Sequence, residues 1–380
     1  MNRKIRVLQS MDTIGVGGTE VFVMNLYRAI DRELFDFDFV VFDDYKTEYL
    51  DEVLKNGDRV YQFHQKHSNK LLNYVDQKRF VNEILDKGKY DIVHCNGNSL
   101  LGILRSALPA KKHMLHIITH SHNQGERHEN VIERLGSSYL KRKISSLAEL
   151  GYTCSDKAGG SKYTREFISS TKYKVIDNGI DGDKYKYNEE YRKKIRKEIG
   201  IDDEVFLIGH VGRFEYPKNQ SYLFDIFAEV LKKEPTARLL LVGDGNQRQE
   251  FEEKIKTLGI EQQVILLGLR MDVNEIYSAM DLFVLPSLHE GFPFVLVEAQ
   301  MNGLRCIVTE NMSKDVNISG GVEFLSVKND PKVWARKLLG SRERLSESAV
   351  DKVINRYDIK KISKEIETDY LKLAKMENNK

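Results

Sequence analysis

FLIGHVGRFEYPKN (206–219) and IRVLQSMDTIGVGGTE (5–20) follow one plan: an apolar run of strand character, a glycine turn, then polar residues heading a segment of helical period. A strand that turns on glycine into a helix opens a βαβ unit, and such units build parallel sheets. Working outward, apolar runs rich in Val, Ile and Phe recur at 37–42, 91–95, 116–120 and 152–155 after the first opening. They recur at 237–243, 264–268, 282–286 and 305–309 after the second. Amphipathic stretches separate nearly all of them, so the chain is predicted to be α/β with two sheets. Asn178-Gly179 is a turn signal followed by some twenty charged residues poor in strand formers, which places the boundary there. The reading is a domain over 1–178, a second over 179–345, and C-terminal helices over 346–380 packing on the outside.

Composition agrees. At ~150 residues per domain, 380 residues allow two large domains. A hydrophobic content of 41% with 59 Lys+Arg against 57 Asp+Glu excludes a disordered chain or one that coats nucleic acid. Cys95, Cys154 and Cys306 are odd in number and lack metal-ligand spacing, which suits a reducing compartment and a cytoplasmic protein. Arg6 and Gln9 interrupt the first apolar stretch, so it reads as a strand rather than a leader. No run approaches the ~18 apolar residues that span a bilayer, and membrane contact is expected to be peripheral.

Three places could carry chemistry. Gly17 and Gly18, ahead of Glu20, allow close backbone approach to a ligand at a helix N-terminus. The turn is half of a dinucleotide fingerprint, but Glu20 stands where that pattern wants a third small residue. A turn serving topology alone is the other reading. Arg213 and Lys218 leave the C-terminal end of a parallel strand, where open α/β sheets bind ligands, and both can meet a diphosphate. Alternatively Arg213 pairs with Glu215, and Lys218 is solvated in the first turn of a helix. In HEGFPFVLVE (289–298), Glu290 in a glycine loop and Glu298 in the following helix could hold sugar hydroxyls and a ribose. Pro293 between them suits a first helical turn that seats phosphate.

On these residues the chain resembles the retaining family 4 glycosyltransferases of the GT-B fold, those of capsule and exopolysaccharide biosynthesis in particular. The matching features are Glu290 to Glu298 as the E-x7-E element, Arg213 and Lys218 as the basic pair, Gly17, Gly18 and Glu20 as the GG-x-E turn, and NGID (178–181) as the linker. Proline at 293 replaces the usual glycine. The resemblance implies two Rossmann-like domains with a cleft between them. It implies sugar transfer with retention from a nucleotide-diphosphate sugar, UDP-sugar favoured, to a lipid-linked or saccharide acceptor. Gly17, Gly18, Arg213, Lys218, Glu290, Gly291, Phe292, Pro293 and Glu298 would bind donor, with Glu20 and His122 on the acceptor side. Glu290, Arg213, Lys218 and His120 would be catalytic, the family's N-domain histidine falling in THSHN (119–123), at His120 or, two residues on, His122. No cofactor, metal or nucleic acid is expected. An NAD-dependent or epimerase-like enzyme and a non-catalytic nucleotide-sugar-binding protein are the rivals.

His116, His120 and His122 alternate along one strand, but no carboxylate or cysteine is spaced to complete a metal site. Asp36-Phe37-Asp38 lies at a strand entry and Asp181-Gly182-Asp183 in the linker, so neither D-x-D reads as a metal site. Residues 141–174 carry eight Lys/Arg against three acids, a face that could hold the protein at an anionic membrane.

Overall fold

The computed structural model describes residues 3–15, 17–43, 47–65, 67–122, 131–290 and 292–376, with backbone alone at 131–134, 156, 157 and 376. The chain forms two compact units, the first comprising residues up to Gly179 together with those from Ile359, the second Ile180–Asp358.

In the first unit the order is β1 (Ile5–Met11), α1 (Gly18–Ala29), β2 (Phe35–Val41), α2 (Glu48–Lys55), β3 (Val60–Gln62), α3 (Lys70–Lys87), β4 (Ile92–Cys95) and α4 (Leu100–Lys112). There follow β5 (His116–Ser121), α5 (Val131–Leu147), β6 (Leu150–Thr153), α6 (Asp156–Lys162), α7 (Arg165–Ile168) and β7 (Tyr173–Val175). All seven strands pair in parallel, in the order β3-β2-β1-β4-β5-β6-β7. The steps from β3 to β4, β4 to β5 and β5 to β6 all advance one way along the sheet. Right-handed crossovers therefore set α3, α4 and α5 side by side on one face, with their N-terminal ends at the C-terminal edge of the strands. They share one core, Val81, Ile84, Ile103, Leu104 and Ile144 meeting Leu8, Val93 and Ile117 of the sheet. The steps to β2 and β3 run the other way and put α1 on the opposite face.

The second unit contains α8 (Gly182–Tyr185), α9 (Glu189–Glu198), β8 (Leu207–Val211), α10 (Gln220–Leu231), β9 (Arg238–Val242), α11 (Arg248–Leu258), β10 (Val264–Leu266) and α12 (Val273–Ala279). It continues through β11 (Leu282–Leu285), α13 (Phe294–Met301), β12 (Arg305–Thr309), β13 (Val322–Leu325), α14 (Pro331–Leu339) and α15 (Glu347–Tyr357). Its parallel sheet has the order β10-β9-β8-β11-β12-β13. Alternate residues feed two cores: Ile208, Leu239 and Leu241 pack against Phe224 and Trp334, whereas Leu207, Leu240 and Val242 pack against Ile276 and Leu296. A parallel sheet needs both faces covered in this way.

Strand order reverses between β1 and β4 and again between β8 and β11, so each sheet has a crevice at its switch point, outside the strands' C-terminal ends. Every strand that the sequence reading missed, β3, β7 and β13, is a three- or four-residue strand at a sheet edge. The terminal helices do not form one outer layer. Helix α15 stays with the second unit, and α16 (Ile359–Met376) returns to the first, beside α1. What draws it there is its inner face: Ile366 and Tyr370 are fully buried, Tyr370 against Phe35 and Phe37. Asp369 accepts hydrogen bonds from Tyr152 and Lys174.

Candidate functional site

At the β8/β11 switch point, two loops bring together residues 72 positions apart in sequence. After β8 the chain makes a single 3-10 turn at Tyr216–Lys218, and Asn219, left-handed at φ 57°, ends it before α10 begins. Lys218 therefore precedes α10 rather than lying in its first turn, and its side chain is 23% exposed and paired. The Asn219 side chain donates to the Pro286 carbonyl at 3.1 Å, and the Leu288 N–H donates to the Pro217 carbonyl at 2.8 Å, which ties the two loops. Lys218 Nζ then donates to Glu290 Oε1 at 2.7 Å, and the buried Ser287 hydroxyl donates to the same oxygen at 2.6 Å. Both bonds fall on Oε1, so Oε2 keeps its lone pairs for another donor; an ammonium has three N–H donors, and Lys218 keeps two.

Arg213 is placed differently. Its side chain is 60% exposed and touches Glu215 at 3.4 Å, the loose ion pair foreseen as one alternative. Its backbone is firmly held, the carbonyl accepting from Gln220 at 2.7 Å. Beneath Lys218, His210 of β8 donates Nδ1–H to the Val284 carbonyl at 2.9 Å, so its buried Nε2 carries a bare lone pair. Burial lowers its pKa to about 4. Gly243 and Gly245, following β9, pack so closely on the Gly212 and Phe214 backbones that a Cβ at either would collide with a carbonyl. This third loop steadies the Arg213 turn, Phe214 donating to the Asp244 carbonyl at 2.9 Å. The sequence reading assigns no site role to Ser287, His210 or the Gly243/Gly245 loop; the G-D-G after β9, matching G-R at β8, was the available signal.

Glu298 lies in another environment. It sits on the inner face of α13, 8% exposed, where Tyr277 Oη donates to Oε2 at 2.9 Å and Tyr185 is a second partner. Burial outweighs these bonds and raises its pKa to about 7. Pro293 takes the cap position of α13, and Phe292 packs edge-on against Phe294 and Tyr357. Gly291 lies outside the described residues.

In the first unit, Gly17 caps α1 in extended conformation, and the Glu20 carboxylate folds back over it so closely that a Cβ at Gly17 would collide. Gly18 opens the helix. A carboxylate thus occupies the approach that a dinucleotide diphosphate would need. Along β5, His120 is stacked between His94 (centroids 5.5 Å apart) and His122 (4.0 Å), with Phe22 and Tyr152 edge-on. It is fully buried, and neither ring nitrogen has a hydrogen bond among the described residues. His120 is thus walled in by rings, whereas His122, 7% exposed, stands at the strand's end, and both stay candidates for the histidine that the resemblance implies. The Asn96 amide is oriented by donating to Gln9 Oε1 (2.9 Å) and to the His94 carbonyl (3.3 Å). Its oxygen must then accept from His122 Nε2, 3.0 Å away.

Burial holds His94 and His122 near pKa 3 and His120 well below its ordinary value. A histidine whose folded pKa is depressed stabilises the fold above its unfolded pKa of ~6.5, and that stability is lost as pH falls towards the folded value. Each such histidine is expected to cost about 1.4 kcal/mol between pH 7.5 and 5.5. Melting His94→Gln beside the unaltered chain at both pH values checks this. The variant should lose less by about that amount, and parallel losses would contradict it.

Asp36 pairs with Lys4 and Asp183 with Lys186, and among the described residues no group of three His, Cys, Asp or Glu is placed to hold a metal. The basic excess of 141–174 is not a single face either: Lys162 is buried and donates to the Asn98 carbonyl, Lys174 pairs with Asp369, and Lys141 donates to the Gly160 carbonyl. No described helix is long and apolar enough to cross a membrane.

The model of glycosyl transferases group 1 matches residues 191–341, and that of glycosyltransferase family 4 matches 16–184. The putative glycosyltransferase EpsF of Bacillus subtilis is 30% identical over 336 residues, 88% of this chain and 86% of that one. The UDP-Gal:α-D-GlcNAc-diphosphoundecaprenol α-1,3-galactosyltransferase of Escherichia coli is 25% identical over 79% of this chain and 80% of its own. Among solved structures, Anabaena HepE in complex with UDP superposes with a TM-score of 0.76 at 20% identity, over 96% of this chain and 99% of that one.

Proposed function

We propose, from the premise that this chain belongs to the glycosyltransferases of group 1 and family 4, that it moves a sugar from a UDP-sugar to a lipid-linked or saccharide acceptor with retention of anomeric configuration. The observation that carries this is the Lys218–Glu290–Ser287 cluster at the switch point of the second sheet, a cation and a carboxylate fixed side by side ahead of a helix N-terminus. Departure of a nucleoside diphosphate gathers negative charge on the β-phosphate, and the two N–H donors left on Lys218 suit that charge. Arg213, on its exposed arm, adds a second cation. Glu290 Oε2 takes a sugar hydroxyl and Glu298 the ribose, and His120 or His122 is the histidine that the family resemblance assigns to the reacting sugar. HepE's complexes with UDP and UDP-glucose, and the UDP-Gal and diphosphoundecaprenol in the galactosyltransferase's name, support a uridine donor and a lipid-linked acceptor. A place in capsule or exopolysaccharide synthesis follows the same resemblance.

The test is a panel of UDP-, GDP- and ADP-sugars incubated with the chain. Slow hydrolysis of one UDP-sugar is expected, undiminished by EDTA because Arg213 and Lys218 supply the counter-charge. Loss on chelation with rescue by Mn²⁺ would overturn the metal independence, and an NMR spectrum showing an inverted product would overturn retention.

A further inference from the structure

The middle of the sheet face that α16 covers is polar, where a face buried under a helix is ordinarily apolar. Gln9 of β1, His94 of β4, His120 of β5 and Tyr152 of β6 stand on four neighbouring strands, on the face opposite Leu8, Val93 and Ile117, and all four are fully buried. Buried polar groups cost stability unless they are hydrogen-bonded, so the partners of this layer are informative. We propose that the layer serves His122: Asn96 is a positioning residue that keeps the His122 proton on Nε2, and Nδ1 is left as the atom that accepts a hydrogen bond from a hydroxyl of the transferred sugar. The inference rests on the transferase reading above, with His122 as its histidine.

One carbonyl sets the direction of every bond in the layer. A carbonyl only accepts, so the Asn96 nitrogen is the atom that faces the His94 carbonyl at 3.3 Å, and the same nitrogen donates to Gln9 Oε1 at 2.9 Å. Gln9 then turns its own N–H to the Tyr370 hydroxyl at 3.2 Å, and that hydroxyl has its proton left for His94 Nδ1 at 2.7 Å. His94 is thereby protonated on Nε2. In the other direction the Asn96 oxygen, 3.0 Å from His122 Nε2, can only accept. The hydrogen bond that one ring nitrogen makes decides where the proton sits, so His122 is protonated on Nε2 and carries its lone pair on Nδ1. Burial keeps the ring neutral, with no second N–H. Nδ1 is itself buried and makes no hydrogen bond among the described residues. Asn178 is the buried amide beside this ring, and its oxygen too lacks a partner among them. A lone pair buried at the C-terminal end of a strand calls for a donor, and a sugar hydroxyl is one. On His120 neither nitrogen has an amide to fix the proton.

The experiment is nitrogen NMR of the imidazole rings in the full chain at neutral pH, with His122 assigned by His122→Gln. The unaltered chain should show His122 neutral and protonated on Nε2. A proton on Nδ1, a charged ring or an average of the two tautomers would overturn the proposal, and this arm needs no variant to fold. Adding the UDP-sugar that the chain hydrolyses should move the Nδ1 resonance, whereas UDP, which lacks the transferred sugar, should not. A shift at His120 instead, or at neither ring, would overturn it as well. Asn96→Leu should let the His122 proton sample both nitrogens and lower kcat for donor hydrolysis about tenfold, the worth of one neutral hydrogen bond, with UDP Kd unchanged. Tyr370→Phe spares Asn96 and the carbonyl that orients it, so it should disturb the His94 tautomer and leave that of His122 in place. Asn178→Ser should leave it in place too. A His122 proton that moves in either of these variants, or stays put in Asn96→Leu, would show that Asn96 does not hold it. Turnover separates the two readings: the expected tautomer without hydrolysis of any UDP-sugar counts against the transferase reading alone, the spectra still deciding what Asn96 does. Hydrolysis by a chain whose His122 is protonated on Nδ1 counts against this inference alone.

Discussion

Replacing Lys218 by alanine is expected to lower kcat by about 10²–10³, the usual effect of losing one fixed donor aimed at developing charge. The geometry makes this a loss in the transition state. The ammonium is held in place before donor arrives by Glu290 at 2.7 Å, and the loop beneath it is locked by Asn219 and Leu288, so little reorganisation is needed as the diphosphate departs. Lys218→Arg should not restore the rate, because a planar fork cannot replace a compact ammonium wedged between Glu290 and the Gly212 turn. Arg213→Ala should weaken donor binding more than turnover, its guanidinium being exposed. Measuring kcat and donor Kd separately decides: an unchanged kcat for Lys218→Ala with weaker binding would show that the lysine grips the ground state only.

Glu298→Gln is expected to stabilise the second unit while weakening donor affinity. Buried beside Tyr277, this carboxyl has a folded pKa of about 7 against 4.5 in the unfolded chain. The folded state therefore holds a proton that the unfolded state has released, and stability falls as pH rises from ~4.5 to ~7, by about 3 kcal/mol in all. Glutamine mimics the protonated form and removes that loss. At pH 8 the variant should exceed the unaltered chain by up to about 3 kcal/mol, and at pH 4.5 the two should converge. Because the buried histidines titrate identically in both chains, the difference between the two pH–stability curves isolates Glu298. A variant less stable at pH 8 would mean that the carboxylate is paired and charged in the fold. Unaltered donor affinity would remove Glu298 from the ribose.

The edge at which this site lies was legible because parallel α/β sheets bind at strand C-termini, which places the Gly212–Lys218 and Pro286–Glu290 loops at the same edge of one sheet; that β8 and β11 are neighbours was not. Depth was not legible. His120 and His122 share a strand face at period two, and nothing in THSHN says which ring is walled in by His94, Phe22 and Tyr152. The partners of Glu298 were hidden for a similar reason: Tyr277 and Tyr185 reach it from separate elements, 21 and 113 positions away. Short edge strands, half exposed and three or four residues long, carry too little pattern to stand out from loops.

The return of α16 to the first unit reverses the usual order in which a nascent chain acquires structure. All residues of Ile180–Asp358 leave the ribosome before α16 does, so the second unit can close its core while the first still lacks the helix that covers Phe35, Phe37 and His94. The half that is made first is finished last. A chain stopped after Asp358 would emerge with a complete second unit and a first unit whose sheet face, Tyr152 and Lys174 included, has lost its cover, and such a species is one for chaperones and proteases rather than for catalysis.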